Sequence, residues 1–161
     1  MADIVDKKTR SRMMSGIRGK NTRPELLIRR KLHSLGFRYR IHDKRFPGKP
    51  DILLPKYHAA IFVHGCFWHG HDCHLFKQPT SNIIFWKKKI ERNRQLDIKN
   101  RELFKISGWR LLIVWECSLK GKKRLLLDDV IQRISDWIKS DNLECEIRGY
   151  ETSDTKNDDG R

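Results

Sequence analysis

The chain has 161 residues and a mass of 19.2 kDa, a length that fits one domain with a real hydrophobic core. Its 35 lysines and arginines outnumber 20 aspartates and glutamates, and the formal charge of +15 indicates a polyanionic partner such as nucleic acid. No apolar run approaches the roughly 18 residues that span a bilayer, so a membrane partner is disfavoured and a soluble intracellular protein is expected.

Residues 1–20 are expected to form a basic N-terminal arm that binds DNA. Six basic side chains lie between residues 7 and 20, and the segment lacks an apolar face that could dock on a core. Such arms follow the minor groove and insert apolar side chains, so Met13 or Met14 is a candidate wedge. A solvated tail in the absence of DNA is the alternative.

The first predicted helix covers residues 24–35. Thr22 and Glu25 form a capping box at its start, and Gly36 is a natural stop. The alternation of apolar and polar residues over 37–42 then predicts a half-buried strand. Capping alone accounts for Glu25, and a carboxylate near an active site is the alternative interpretation.

Two short apolar strands are predicted at 51–54 and 59–63, joined as a hairpin. The hairpin would bring Asp51, at the start of the first strand, close to the end of the second strand and to His64. A carboxylate there can hold Mg²⁺ against a phosphate, although an aspartate beside proline and glycine also commonly caps a turn. Both interpretations stay open from the residues alone.

A loop dense in cysteine and histidine follows the second strand. Thiolate and imidazole side chains suit Zn²⁺, which a structural site holds with four ligands in a tetrahedron. Cys66, His71 and Cys73 supply three, and Cys117 is the best candidate for the fourth because it follows the strand predicted at 109–115. The alternative is a set of ordinary histidines with two reduced thiols.

The longest predicted helix runs from residue 82 to residue 107 and carries a basic face. Lys89 and Asn93 lie one turn apart on it and could reach base edges, although a solvated basic face is an equally good interpretation. Asp97 lies a further turn along, where it could orient His69 as a carboxylate orients a general base.

A last amphipathic helix is predicted at 125–139 and serves as scaffold. Cys145 is left over from the metal set and is expected to be a free thiol. The segment 149–161 has almost nothing to bury and is expected to be disordered, which bounds the domain at 21–148. The expected fold class is α/β, a central mixed sheet flanked by helices.

Four stretches together resemble a known family: Phe46-Pro47-Gly48-Lys49-Pro50-Asp51, Phe62-Val63-His64-Gly65-Cys66-Phe67-Trp68-His69, Phe85-Trp86-Lys87-Lys88-Lys89-Ile90, and Gly108-Trp109-Arg110 with Trp115-Glu116-Cys117. Over residues 1–140 the chain is similar to the very short patch repair (Vsr) endonucleases. The resemblance implies a restriction-endonuclease-like fold. It also implies Mg²⁺-dependent hydrolysis that nicks duplex DNA on the 5′ side of the thymine in a T:G mismatch, the product of 5-methylcytosine deamination.

The same resemblance implies a role for individual residues. The Mg²⁺ ligands would be Asp51 and the backbone carbonyl of Val63, and the active-site histidines would be His64 and His69. The ligands of a structural zinc would be Cys66, His71, Cys73 and Cys117. The aromatic side chains inserted into the base stack would be Phe67, Trp68 and Trp86. The sequence departs from the usual restriction-enzyme signature at one point. It has Phe62-Val63-His64 where those enzymes carry Glu-x-Lys, so histidine must replace lysine.

The expected partner is duplex DNA with a T:G mismatch, and general mismatch-repair proteins are a further candidate. A monomer in the bacterial cytoplasm, associated with the nucleoid, is expected.

Three other classes of protein were weighed. A non-enzymatic zinc-containing DNA-binding module would explain the charge and the cysteines, but it leaves Asp51, His64 and His69 without a role. A zinc nucleobase deaminase requires a His-x-Glu sequence, which His69-Gly70-His71 lacks. A histidine-metal nuclease of another fold shares the substrate, and Mg²⁺ binding by Asp51 would distinguish the two.

Overall fold

The computed structural model describes residues 21–150, so the predicted basic arm, with Met14, and the segment 151–161 lie outside the described residues. Three helices and four strands lie within residues 21–150: α1 (Arg23–Ser34), β1 (Ile52–Leu54), β2 (Ala59–His64), α2 (Ile83–Ser107), β3 (Arg110–Trp115), α3 (Leu127–Lys139) and β4 (Glu144–Ile147). Short 3₁₀ turns occupy Pro55–Tyr57 and Glu116–Ser118. Within these residues no helix is long and apolar enough to cross a membrane.

The strands form one mixed sheet in the order β1-β2-β3-β4. The predicted hairpin is confirmed, since β1 pairs antiparallel with β2 and Ile52 faces Ile61. Strands β2, β3 and β4 are parallel, and the register places His64 opposite Trp115. The loops that follow β2 and β3 therefore leave the sheet at the same edge.

Helices cover both faces of the sheet. On one face, Ile61 and Val114 belong to a buried cluster with α1 and α3. On the other face, Phe62 and Ile113 pack with Phe104 of α2 and with the cysteines that follow β2 and β3. Successive strand residues point to opposite faces, so these nearly continuous apolar strands are buried on both sides. The α/β class with a mixed sheet flanked by helices is confirmed.

The strand predicted over 37–42 is wrong. Only Arg40 pairs with the sheet, through an isolated bridge in which it exchanges two 2.8 Å hydrogen bonds with Leu53. His42 has a φ of +48°, which ends the extended path. Consequently Ile41, an expected inward residue, is exposed, and the His42 side chain turns towards the sheet edge that holds Asp51.

The helix ends follow the predicted signals in part. Oγ1 of Thr22 accepts a hydrogen bond from the backbone N–H of Glu25 at 3.4 Å, and Gly108 ends α2 with a φ of +78°. Asn82 occupies the N-cap position of α2 without a side-chain capping bond. Helix α3 begins at residue 127, two residues later than predicted.

Strand β4 was not predicted, because among its residues only Ile147 is fully buried.

Candidate active site and metal centre

The first candidate site lies where β1 begins and β2 ends. Oδ2 of Asp51 accepts a 2.7 Å hydrogen bond from the backbone N–H of Val63, which ties the carboxylate to the last residues of β2. The hairpin therefore brings Asp51 to the end of β2, where Val63 and His64 lie, as the sequence predicted.

Two further side chains surround Asp51. Glu25, His42 and Asp51 each offer a ligand atom, and these atoms lie within 4.8 Å of one another. Nε2 of His42 is 3.0 Å from Oε2 of Glu25 and 4.0 Å from Oδ1 of Asp51. Glu25 also accepts hydrogen bonds from Arg29 at 2.6 Å and from the backbone N–H of Asn21 at 3.2 Å. Glu25 thus stabilises the start of α1 and lies in the site at the same time.

Burial raises the pKa of Asp51 to about 8. The neighbouring Glu25 carboxylate raises it further, whereas the Val63 N–H lowers it by stabilising the charged form. Glu25 is buried and Asp51 is largely buried, so their two carboxylates repel each other unless a proton or a cation lies between them. Carboxylate oxygens are the ligands that Mg²⁺ prefers, so this donor set fits that ion.

A histidine pair forms the opposite wall of the site. The rings of His64 and His69 stack at 3.8 Å with an interplanar angle of 4°. Nδ1 of His69 lies 2.6 Å from Oδ2 of Asp97 on α2, which is the contact that the helical spacing indicated. Burial, together with the nearby His69, holds the pKa of His64 well below its usual range, so His64 is neutral at pH 7.

A cleft of about 540 Å³ joins these groups, and its lining includes Asp51, Val63, His64, His69 and Asp97. It also contains three side chains that sequence reasoning missed as site residues: His42, Lys49 and Asn100. The alternating pattern over 37–42 placed His42 towards solvent. Lys49 adjoins a Pro-Asp pair in a turn, a signal that could have singled it out.

The second candidate site gathers the four residues predicted to bind zinc. The ligand atoms of Cys66, His71, Cys73 and Cys117 lie within 4.8 Å of one another. Nδ1 of His71 is 3.5 Å from Sγ of Cys66 and 3.7 Å from Sγ of Cys117. Zinc–sulfur bonds of about 2.3 Å and zinc–nitrogen bonds of about 2.0 Å give comparable edges in a tetrahedron, so the cluster fits a four-coordinate metal.

The thiols of this cluster are electrostatically coupled. A hydrogen bond from Cys66 lowers the pKa of Cys117 to about 4, and it raises the pKa of Cys66 correspondingly. The backbone N–H of Gly149 also donates to Sγ of Cys117, at 3.3 Å. The cluster therefore stabilises a thiolate, the form that binds metals. Cys145 is a free thiol, as predicted.

Three aromatic side chains meet beside the cysteine loop. The ring centroids of Phe67, Trp68 and Trp86 lie 5.3 to 5.6 Å apart. We call these three residues the aromatic cluster. Trp86 is only 7% exposed, whereas its helix neighbours Ile84 and Phe85 are 72% and 56% exposed. These two exposed apolar residues were not singled out from the sequence.

Lys89 and Asn93 contact the aromatic cluster. Nζ of Lys89 lies 5.5 Å from the Trp68 ring centroid and 5.9 Å from that of Trp86, within the range of cation–π attraction. The side-chain amide of Asn93 donates to the backbone carbonyl of Trp68 at 2.8 Å. Both residues therefore position Trp68 in this structure.

Trp115 connects the two candidate sites. Its ring stacks on His71 at 3.8 Å and contacts His64 edge to face at 5.2 Å. The metal cluster and the catalytic cleft thus share one aromatic side chain from the end of β3.

Comparison with known proteins gives consistent results. The family model described as DNA mismatch endonuclease Vsr matches residues 2–75. A Neisseria meningitidis protein named type II nicking enzyme V.NmeAIP is 46% identical over 140 residues, covering 86% of this chain and 100% of that protein. The DNA mismatch endonuclease Vsr of Escherichia coli is 39% identical over 147 residues, covering 91% of this chain and 94% of that protein. The type II nicking enzyme V.XorIIP of Xanthomonas oryzae is 44% identical over 119 residues, covering 88% of its length.

These relatives, and the cleft of carboxylates and histidines at the sheet edge, define an endonuclease, a DNA-cleaving hydrolase. More narrowly, the chain belongs to the Vsr family of DNA mismatch endonucleases. The interpretation as a non-enzymatic zinc module is therefore excluded.

Proposed function

We propose that the protein nicks duplex DNA on the 5′ side of the thymine in a T:G mismatch that arises from deamination of 5-methylcytosine. The observation that carries the proposal is the cleft that joins Asp51, His64, His69 and Asp97 next to the aromatic cluster. The loop after β2 carries His69 of this cleft together with Phe67 and Trp68, so groups suited to phosphodiester chemistry and rings suited to base stacking lie side by side, as a mismatch endonuclease requires.

The fold is assigned as restriction-endonuclease-like. The antiparallel hairpin that presents Asp51 and the parallel crossover through α2 support this assignment, together with family membership. His64 stands where that fold usually places a lysine, and it supplies a neutral imidazole that can hydrogen-bond a phosphate oxygen. Nδ1 of His64 has no hydrogen-bond partner among residues 21–150.

Asp51 and Glu25 would hold Mg²⁺, with the backbone carbonyl of Val63 as a further ligand. Bound there, Mg²⁺ supplies Lewis-acid polarisation of the scissile phosphate. Asp51 would bind the ion through its carboxylate, whose orientation is fixed by the hydrogen bond from the Val63 N–H. His42 contacts the Glu25 carboxylate and holds it beside Asp51.

His69 acts as the general base. Oδ2 of Asp97 accepts a hydrogen bond from Nδ1–H of His69, which keeps the proton on Nδ1 and leaves Nε2 able to take a proton from the attacking water. The water oxygen then forms a bond to phosphorus as the phosphorus–oxygen bond to the leaving strand breaks, and the leaving oxygen takes up a proton from solvent. Stacking on His64 fixes the plane of the His69 ring.

Cys66, His71, Cys73 and Cys117 would hold zinc in a structural role. With four protein ligands the ion would brace the loop that carries Phe67, Trp68 and His69 and would leave no position for substrate. The aromatic cluster inserts into the base stack at the mismatch, where Lys89 and Asn93 hold Trp68 in place. Unstacking a wobble pair costs less than unstacking a Watson–Crick pair, which favours mismatched DNA.

The protein acts as a monomer in the bacterial cytoplasm on nucleoid DNA. The relatives named above are from bacteria, which supports this location.

A nicking assay tests this function. Purified protein is incubated with end-labelled duplexes that carry T:G, A:C or T:A at one position, with and without Mg²⁺, and with Asp51→Asn as the inactive control. The proposal predicts Mg²⁺-dependent nicking of the T:G duplex only. Equal cleavage of T:A, or cleavage without a divalent cation, would overturn it.

A further inference from the structure

The loop between β3 and α3 is strongly basic. Four of the five residues from 120 to 124 carry a positive charge, and no acidic residue occurs between Glu116 and Asp128. We call residues 120–124 the basic loop. None of its residues lines the cleft around Asp51 or belongs to the metal cluster.

Two lysines of this loop lack an ionic partner within the described chain. Nζ of Lys120 lies 3.8 Å from Glu116, but no carboxylate within residues 21–150 comes within 4 Å of the amino group of Lys122 or Lys123. Both lysines line a cleft of about 590 Å³. His71, Cys73 and Cys117 of the metal cluster line the inner part of the same cleft, and Asp72 is paired with Arg148 at 2.9 Å. Lys122 and Lys123 are therefore the cations of this cleft that have no carboxylate partner within residues 21–150.

The basic loop is held in place by backbone hydrogen bonds. Arg124 N donates to Gly121 O at 3.2 Å, Leu125 N to Ser118 O at 2.8 Å, and Tyr150 N to Lys123 O at 2.8 Å. A preorganised cationic surface loses little conformational entropy when it binds an anion. The fixed loop is therefore a better anion site than a freely solvated charge run.

The position of the cleft connects it to the aromatic cluster. Phe76 lines this cleft and also a neighbouring cleft that contains Lys87, Lys88 and Arg94 of α2. The Phe76 ring stacks on Phe67 at 6.1 Å. Basic side chains thus continue from α2, past the aromatic cluster, to the basic loop, which is the arrangement expected along a nucleic-acid backbone.

We propose that the basic loop binds the phosphodiester backbone of the duplex flanking the mismatch, through Lys122 and Lys123. This surface extends the DNA contact beyond the bases that the aromatic cluster touches, on one side of the mismatch. The inference rests on the proposed function in taking duplex DNA as the partner. It adds a sequence-independent contact that sets affinity and footprint length.

The test is the salt dependence of DNA binding by Lys122→Gln/Lys123→Gln. Each phosphate contact contributes about 0.9 to the slope of log K against log salt, so the double variant should lose a slope of about 2. At about 0.1 M salt its affinity should fall roughly ten- to a hundredfold. Truncating one flank of the duplex should weaken wild-type binding, and the variant should no longer respond to that truncation.

Arg133→Gln/Lys139→Gln is the matched control, because it removes the same charge from exposed positions of α3. This helix packs on the face of the sheet that lies away from α2. Equal slopes for the two double variants, or an unchanged response to flank truncation, would overturn the proposal. Measuring a fully paired duplex in parallel separates this result from the proposed function. A lost T:G preference rejects the mismatch specificity, while the difference in slope still reports the phosphate contacts.

Discussion

At the scale of single residues, two short contacts of carboxylates organise the cleft. Oδ2 of Asp97 lies 2.6 Å from Nδ1 of His69, and Oδ2 of Asp51 accepts a 2.7 Å hydrogen bond from the backbone N–H of Val63. Neither contact is long or exposed, so each can be tested by an isosteric change of one side chain.

The first prediction concerns Asp97. Asp97→Asn should lower the single-turnover nicking rate by roughly a hundredfold or more, the contribution of a positioned general base, because an amide does not hold His69 in the required tautomer. Binding of T:G duplex should remain near wild type. Glu91→Gln removes a carboxylate from the exposed side of the same helix and serves as control. A rate for Asp97→Asn within twofold of wild type would remove Asp97 from the mechanism.

A second prediction follows from the raised pKa of Asp51. The folded protein binds this proton more tightly than the unfolded chain, whose aspartates titrate near about 3.9. Stability from this group is therefore fully present below about pH 4 and is lost as pH rises towards about 8 in the metal-free protein. Mg²⁺ should raise Tm more at pH 8.5 than at pH 6, since the cation competes with the proton.

Thermal melts with and without Mg²⁺ check this behaviour. Asp51→Asn should abolish the Mg²⁺ shift and should melt above the metal-free wild type at pH 8.5, because it removes a buried charge. Asp43→Asn is the control, because hydrogen bonds from Arg45 hold the pKa of the Asp43 carboxyl at about 2, so that it does not titrate in this range. An Mg²⁺ shift that is independent of pH, or retained by Asp51→Asn, would contradict the assignment.

At the scale of elements, the parallel pairing of β2 and β3 assembles the metal cluster. His64 and Trp115 are opposite in register, so the loops after both strands start side by side. Three ligands come from one loop and the fourth from the other, and Trp115 packs between the cluster and the catalytic histidines. Loss of the metal should therefore disturb the cleft as well as the loop.

Cys117→Ser tests this arrangement. The wild-type protein should carry one zinc per chain, and the variant should lose it and melt at a lower temperature, since an open tetrahedron binds more weakly. Cys145→Ser is a matched control, because Cys145 is a free thiol on β4 outside the cluster. Elemental analysis and thermal melts give the readout. Stoichiometric zinc in folded Cys117→Ser would refute the ligand set.

The aromatic cluster joins a loop to the start of a helix, and its function is tested by Trp68→Ala. The variant should lose most of the preference for T:G over T:A in binding, while general affinity for duplex DNA persists through the basic side chains. The fluorescence of a base analogue next to the mismatch should also change less on binding. Full T:G preference with the wild-type fluorescence change would show that Trp68 does not insert.

At the scale of the whole molecule, some features follow from local pattern and others do not. The β1–β2 hairpin was predictable, because apolar runs that end in turn residues indicate strands. Cys117 was predictable as the fourth member of the metal cluster, because it follows a strand that could end at the same sheet edge as β2. His42 was not, since its positive φ has no local signal and brings the side chain to Glu25 in another element. Strand β4 was missed because it depends on pairing with β3 and has only Ile147 fully buried.

The loops that follow β2 and β3 leave the sheet at one edge, so the candidate active-site cleft, the aromatic cluster and the basic loop are arranged around that edge. The most direct measurement of the central claim maps the nick on both strands of a T:G duplex. Each strand is labelled in turn and the products are resolved at single-nucleotide length. We expect one Mg²⁺-dependent break, immediately 5′ of the mismatched thymine, and an intact G strand. A break in the G strand, or at a position that does not move with the thymine, would contradict it.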